Sequence, residues 1–121
     1  MAYSLQGRRI LVVEDDHDLA RVLHDVARLE GAEVACRSTN DCELTAFSRE
    51  QDLDLLVLGQ TSVPPAAVLS TVFSSTKRCP VVFLVYDLSN NVRALCRSGD
   101  RLIRLPANAR ELVNSMSECI S

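Results

Sequence analysis

Short apolar runs alternate with apolar residues at helical spacing along the chain. Ile10-Leu11-Val12-Val13 is an unbroken run rich in β-branched side chains, as a strand buried on both faces requires. Leu19, Val22, Leu23, Val26 and Ala27 then recur every three or four positions, with Gly31 as the stop. Val34-Ala35-Cys36 predicts a short second strand. Asn40 followed by Glu43 predicts an N-cap with a reciprocal acidic partner, opening a helix that runs to about Arg49. Leu55-Leu56-Val57-Leu58 and Val81-Val82-Phe83-Leu84-Val85 predict the third and fourth strands, and between them Pro64 and Pro65 suit the first turn of a helix reaching Phe73. Ser89 or Asn90 is the expected cap of a helix carrying Val92, Leu95 and Cys96, closed by Gly99. Leu102-Ile103 predicts the fifth strand, and Asn108 with Glu111 repeats the capping pattern ahead of Leu112, Val113, Met116 and Ile120. Five strand–helix units predict an α/β fold, a doubly wound parallel sheet of five strands, in one domain over residues 1–121.

Composition narrows the class. Apolar residues make up 47% of the chain and charged residues 24%, a balance that excludes wholesale disorder. No apolar run approaches the roughly 18 residues of a membrane span. Residues 1–7 lack the apolar core of a signal peptide, so the expected location is cytoplasmic. The 5 cysteines (Cys36, Cys42, Cys79, Cys96, Cys119) include no C-x-x-C pair, and His17 and His24 have no partner at zinc-binding spacing. Reduced thiols are therefore expected. Net charge is −3 but unevenly spread: residues 1–60 carry 6 basic and 12 acidic side chains, and residues 61–121 carry 7 and 4. That polarity favours a defined partner or self-association over general nucleic-acid binding.

In sheets of this kind chemistry gathers at the carboxyl ends of the strands. Glu14-Asp15-Asp16 follows the first strand, and adjacent carboxylates there attract a hard cation such as Mg²⁺. Asp16 suits the cap of the next helix, which leaves Glu14 and Asp15 as pocket acids and weak metal candidates.

Here the sequence resembles the receiver domain of two-component response regulators. Ile10-Leu11-Val12-Val13-Glu14-Asp15-Asp16 looks like that family's opening strand and acidic pair, and Asp54-Leu55-Leu56-Val57-Leu58 like the strand leading to its phosphoacceptor aspartate. Pro80-Val81-Val82-Phe83-Leu84 looks like its fourth strand, and Arg110-Glu111-Leu112 like the start of its fifth helix. The resemblance implies the flavodoxin-like strand order 2-1-3-4-5 with five helices. It also implies where the switch chemistry should lie, and there the chain departs from the family. The acceptor position falls on Gly59 or, anchored on Val63-Pro64, on Gln60; neither forms an acyl phosphate. The family's hydroxyl-bearing switch residue falls on Val85, the small residue after it on Tyr86, and its lysine on Leu105 before Pro106.

The losses are consistent with one another, because a phosphoryl group needs an acceptor, a cation and donors together. The expectation is a degenerate, pseudo-receiver type of signalling domain with no catalytic residue and at most weak Mg²⁺ binding. It would form the N-terminal input domain of a longer regulator. Arg93, Arg97, Arg101, Arg104 and Arg110 fall on the fourth helix, fifth strand and fifth helix, which in receivers form the usual partner surface. Arginine suits bidentate carboxylate or phosphate contacts. The expected partner is a protein or a second copy in a weak, salt-sensitive dimer, with no nucleic acid or membrane bound directly. Lys77-Arg78 reads as solubilising. Two other classes remain open: a sensor of a nucleotide such as cyclic di-GMP, and an enzyme or phosphoacceptor using Thr61 or Ser62.

Overall fold

Ile10 and Val12 point to one face of a sheet and Leu11 and Val13 to the other, and both faces are covered. The computed structural model describes residues 4–40, 44–74, 76–87 and 90–120. Strands β1 (Arg9–Val13), β2 (Glu33–Arg37), β3 (Leu55–Leu58), β4 (Val81–Val85) and β5 (Arg101–Arg104) alternate with helices α1 (His17–Leu29), α2 (Ala46–Glu50), α3 (Pro65–Val72), α4 (Asn90–Leu95) and α5 (Ala109–Ile120). The strands pair in parallel in the order β2-β1-β3-β4-β5, as the resemblance implies. Ile10, Val12, Leu55 and Val57 pack with Leu23 and Ala27 of α1 and Leu112 and Met116 of α5. Leu11, Val13, Leu56 and Leu58 pack instead with Phe47 of α2 and Val68 and Val72 of α3.

The registers position the site. Val13 pairs with both Arg37 and Leu58, so β1, β2 and β3 end level. The chain leaves β1 for β2 on one side and reaches β3 on the other, which opens a crevice at the carboxyl ends of β1 and β3. Glu14-Asp15 and Gly59-Gln60 are the residues that enter it.

Two helices differ from expectation. α2 begins at Ala46 rather than near Asn40, which lies in a turn, and Glu43 is outside the described residues. The cause is long-range: Thr39 gives its N–H and its hydroxyl to Asp15, which holds the chain over the sheet and delays the helix. α4 ends at Leu95, leaving Cys96 beyond it. Asp100 takes the Arg97 N–H, which stops the helical ladder, and Gly99 supplies the positive φ of 95° for the return to β5. The expected cap at Ser89 lies outside the described residues. Elsewhere local chemistry prevails. Asp16 caps α1 by accepting the N–H groups of Asp18 and Leu19, and the Asn108 side-chain Oδ1 accepts the Glu111 N–H at the start of α5.

No helix among the described residues is long and apolar enough to cross a membrane. Cys36, Cys79, Cys96 and Cys119 are free thiols, and Cys42 is outside the described residues. Burial pushes Cys36 up to about 11 and Cys79 up to about 12, so neither is a ready nucleophile.

Candidate functional site

Glu14 continues β1 into the crevice and is only 3% exposed. One carboxyl oxygen accepts the Gln60 N–H, and the other accepts the Asp16 N–H at 3.4 Å. Burial pushes the carboxyl up to about 7; those N–H groups oppose the rise, and the charges of Asp16 and Asp15 add to it. Near neutral pH this acid is therefore divided between its two protonation states.

The position of that carboxyl explains Gly59. Only Gly7, Gly31 and Gly99 among the described residues have positive φ, so φ at 59 is not positive. A side chain there would displace the Glu14 carboxyl. A Cβ on residue 59 would lie 1.6 Å from Glu14 Oε2 and 2.7 Å from its carboxyl carbon. The Glu14 carboxyl occupies the volume that a side chain at 59 would need.

Asp15 serves as a tie. Its Oδ1 accepts the Thr39 N–H at 2.7 Å, and its Oδ2 accepts the Thr39 hydroxyl at 2.7 Å and the Ser62 N–H at 2.6 Å. Its own N–H donates to the Gln60 carbonyl at 2.8 Å. Burial would raise this carboxyl, but the N–H and hydroxyl groups of Thr39 and Ser62 outweigh it and hold it below the usual range. One carboxylate thus joins the segments after β1, β2 and β3. The Ser62 hydroxyl lies 2.7 Å from that of Thr39, and the Thr61 hydroxyl donates to the Val63 carbonyl, so both expected alternative nucleophiles are engaged within the loop.

The weak metal candidates are accordingly committed elsewhere. Glu14 is buried against a backbone N–H, Asp15 has donors on both oxygens, Asp16 caps α1, and residue 59 adds no third carboxylate. No group of three or more His, Cys, Asp or Glu suited to a metal ion occurs among the described residues. Glu14 and Asp15 would therefore meet a hard cation only through oxygens that already accept N–H or hydroxyl groups.

Val85 and Leu105 are both buried, and the Leu105 N–H donates to the Val85 carbonyl at 2.7 Å. Leu105 belongs to the core cluster beneath α1 and α5. Tyr86 is 51% exposed, so it borders the crevice without filling it. Beside Gly59 and Gln60 a cleft of about 270 Å³ is bordered by Thr61, Val85, Tyr86 and Asp87. Gln60 spans it, donating from its side chain to the Leu84 carbonyl at 3.1 Å.

No protein-family model matches the chain, and no curated protein matches it in sequence. Solved structures do. The Vibrio cholerae chemotaxis protein CheY4 superposes with a TM-score of 0.77 at 16% identity, covering 93% of this chain and 98% of that one. The HemR receiver domain from Leptospira biflexa superposes with a TM-score of 0.77 at 21% identity, covering 95% of each. This chain has the receiver-domain fold. The anti-anti-sigma factor PhyR from Bartonella quintana contains the same fold, with a TM-score of 0.72 at 16% identity. There the match covers 98% of this chain but 50% of PhyR.

On this receiver fold the five arginines do not gather on one concave surface. Arg97 borders a groove between α3 and α4, and Arg110 borders another between α1 and α5, as does Glu30. Arg101 pairs with Glu118 of its own chain at 3.3 Å, while Arg93 and Arg104 are exposed. Arg78, expected to be solubilising, is part of the framework. Its guanidinium makes two bonds to Asp100, at 3.2 and 2.8 Å, and lies 5.2 Å from the Phe73 ring centre. Asp100, a buried acid, also accepts the N–H groups of Val81 and Arg97. Sequence spacing gave no hint of this knot, because its members come from separate loops at the amino ends of β4 and β5.

Proposed function

We propose that this chain is a receiver-like signalling domain that is not phosphorylated and acts through protein contacts. One observation carries the reading. At the end of β3 the resemblance places the phosphoacceptor on Gly59 or Gln60; Gly59 has no side chain and the Glu14 carboxyl sits beside it, while Gln60 carries an amide, which forms no acyl phosphate. An acyl phosphate there has no acceptor. The other departures agree: Val85 offers no hydroxyl and Leu105 no ammonium, and both are buried apolar side chains. With acceptor and donors absent, the domain has no phosphoryl-transfer chemistry to perform and is not an enzyme.

What remains of a receiver is its shape and its outer surface. The face of α4, β5 and α5, with Arg93, Arg97, Arg101, Arg104 and Arg110, is the proposed contact surface for a protein partner or a second copy. The likeness to half of PhyR, an anti-anti-sigma factor, supports an input domain attached to a further part in a longer regulator. Incubation with acetyl phosphate and Mg²⁺ tests the reading. Intact mass spectrometry is expected to show the unmodified chain. A stoichiometric adduct of one phosphate, cleaved by hydroxylamine, would overturn it.

A further inference from the structure

The groove between α3 and α4 has a volume of about 590 Å³, within the range of roughly 300–1,000 Å³ over which clefts hold ligands. Leu69 of α3, Phe73 just after that helix and Leu95 of α4 line it, and all three are only partly buried. Arg78 and Arg97 border it where the helices finish. No described residue bordering it is acidic. Asp100 neutralises Arg78, but the exposed Arg97 side chain makes no hydrogen bond or ion pair among the described residues; only its backbone N–H reaches Asp100. The groove therefore combines an apolar lining with one uncompensated cation. The α1–α5 groove lacks that excess, since Glu30 borders it as well as Arg110.

We propose that the α3–α4 groove docks a short acidic segment of a partner protein, an apolar side chain resting on Leu69, Phe73 and Leu95 and a carboxylate pairing with Arg97. A peptide fits the open shape better than an enclosed small molecule does. Apolar burial supplies the affinity, and the arginine selects the sign of charge. The expected complex is weak, with a Kd of about 1 mM, or about 4.1 kcal/mol. This inference rests on the reading of the domain as a contact module, and the two fail separately: phosphate labelling probes Gly59, whereas peptide titration probes the groove.

The test is an NMR titration of the intact chain with a terminally blocked hexapeptide, alanine–glutamate–leucine–leucine–glutamate–alanine. Versions with glutamine or lysine in place of glutamate are titrated alongside, with sodium acetate as a bare carboxylate. Saturable shifts are expected at the Leu69 and Leu95 methyl groups and the Ser70 amide, with the glutamine version at least fivefold weaker and the lysine version weaker still. Arg97→Glu should weaken the acidic peptide at least fivefold. Ala66→Glu, an exposed change on the α3 rim, should weaken it as well, so the proposal does not hang on one variant. Equal binding of the lysine peptide, indifference to both variants, or acetate binding as tightly as the peptide would overturn the proposal. So would the absence of groove shifts at ten times the expected Kd.

Discussion

Gly59→Ala is expected to destabilise the domain by about 1–3 kcal/mol, a large effect for one methyl group at a position whose φ is not positive. The added carbon would lie 1.6 Å from Glu14 Oε2, so the carboxyl must leave its place. Overpacking costs about 1–3 kcal/mol, and losing a charge-assisted bond to the Gln60 N–H about 1.5–3 more, part of which relaxation recovers. The decisive control is the pair with Glu14→Ala. If the two side chains compete for one volume, the double variant recovers at least about 1.5 kcal/mol of the summed losses in chemical denaturation. Strict additivity would show that the carboxyl does not sit against residue 59. Restoring an acceptor with Gly59→Asp alone meets the same obstruction, and Val85 and Leu105 still supply no donor.

The Glu14 carboxyl also sets a pH dependence. Its pKa rises from 4.5 in the unfolded reference to about 7 in the fold. Between these values the folded state binds the extra proton, so stability falls as pH rises. The stabilising contribution is fully present below about pH 4.5 and is lost as pH passes through 7. A rise from about pH 5 to pH 8 should cost the native chain about 2 kcal/mol more than it costs Glu14→Gln, whose amide does not titrate in this range. Urea denaturation of both chains at the two pH values checks this. Parallel pH profiles would place the acid in a more open environment than the structure gives it.

Much of the fold was legible because its determinants are local. Continuous apolar runs marked the buried strands, and Asp16 and Asn108 marked helix starts because each cap bonds within three residues of itself. One failure involves a bond between distant parts of the chain, and the other a carboxylate that a distant arginine holds in place. Thr39 is drawn to Asp15 and so displaces the start of α2, and Asp100 draws in Arg78 and Arg97 and so shortens α4. Neither partner choice has a spacing signature. The acidic site was legible in its residue types but not in its use. Glu14-Asp15 reads as a pair of open ligands, yet one is buried against Gly59 and the other ties three loops. A signal did exist. The pairing of Val13 with Leu58 makes residues 14 and 59 neighbours, so a glutamate beside a glycine at two adjacent strand ends is a complementary pair of large and absent side chains.

Arg78 teaches the same point about charge. A Lys-Arg pair before a strand has the appearance of a solvated surface, but a carboxylate 22 residues away converts the arginine into framework. Arg97 on the same groove keeps its charge available. The surface charge that matters for contact is what remains after internal pairing, which a residue count cannot show.

On the proposed reading this receiver fold carries an internally satisfied pocket in place of a phosphorylation pocket, with Glu14 against Gly59 and Asp15 tied to Thr39 and Ser62. The most direct measurement is a Mg²⁺ titration, with and without beryllofluoride, followed at the backbone amides of Asp15, Thr39, Gln60 and Ser62. The account predicts no saturable shift of these amides at millimolar Mg²⁺, and none added by beryllofluoride. Binding tighter than about 100 μM, about 5.5 kcal/mol, that moves these amides and disappears in Asp15→Asn would contradict it.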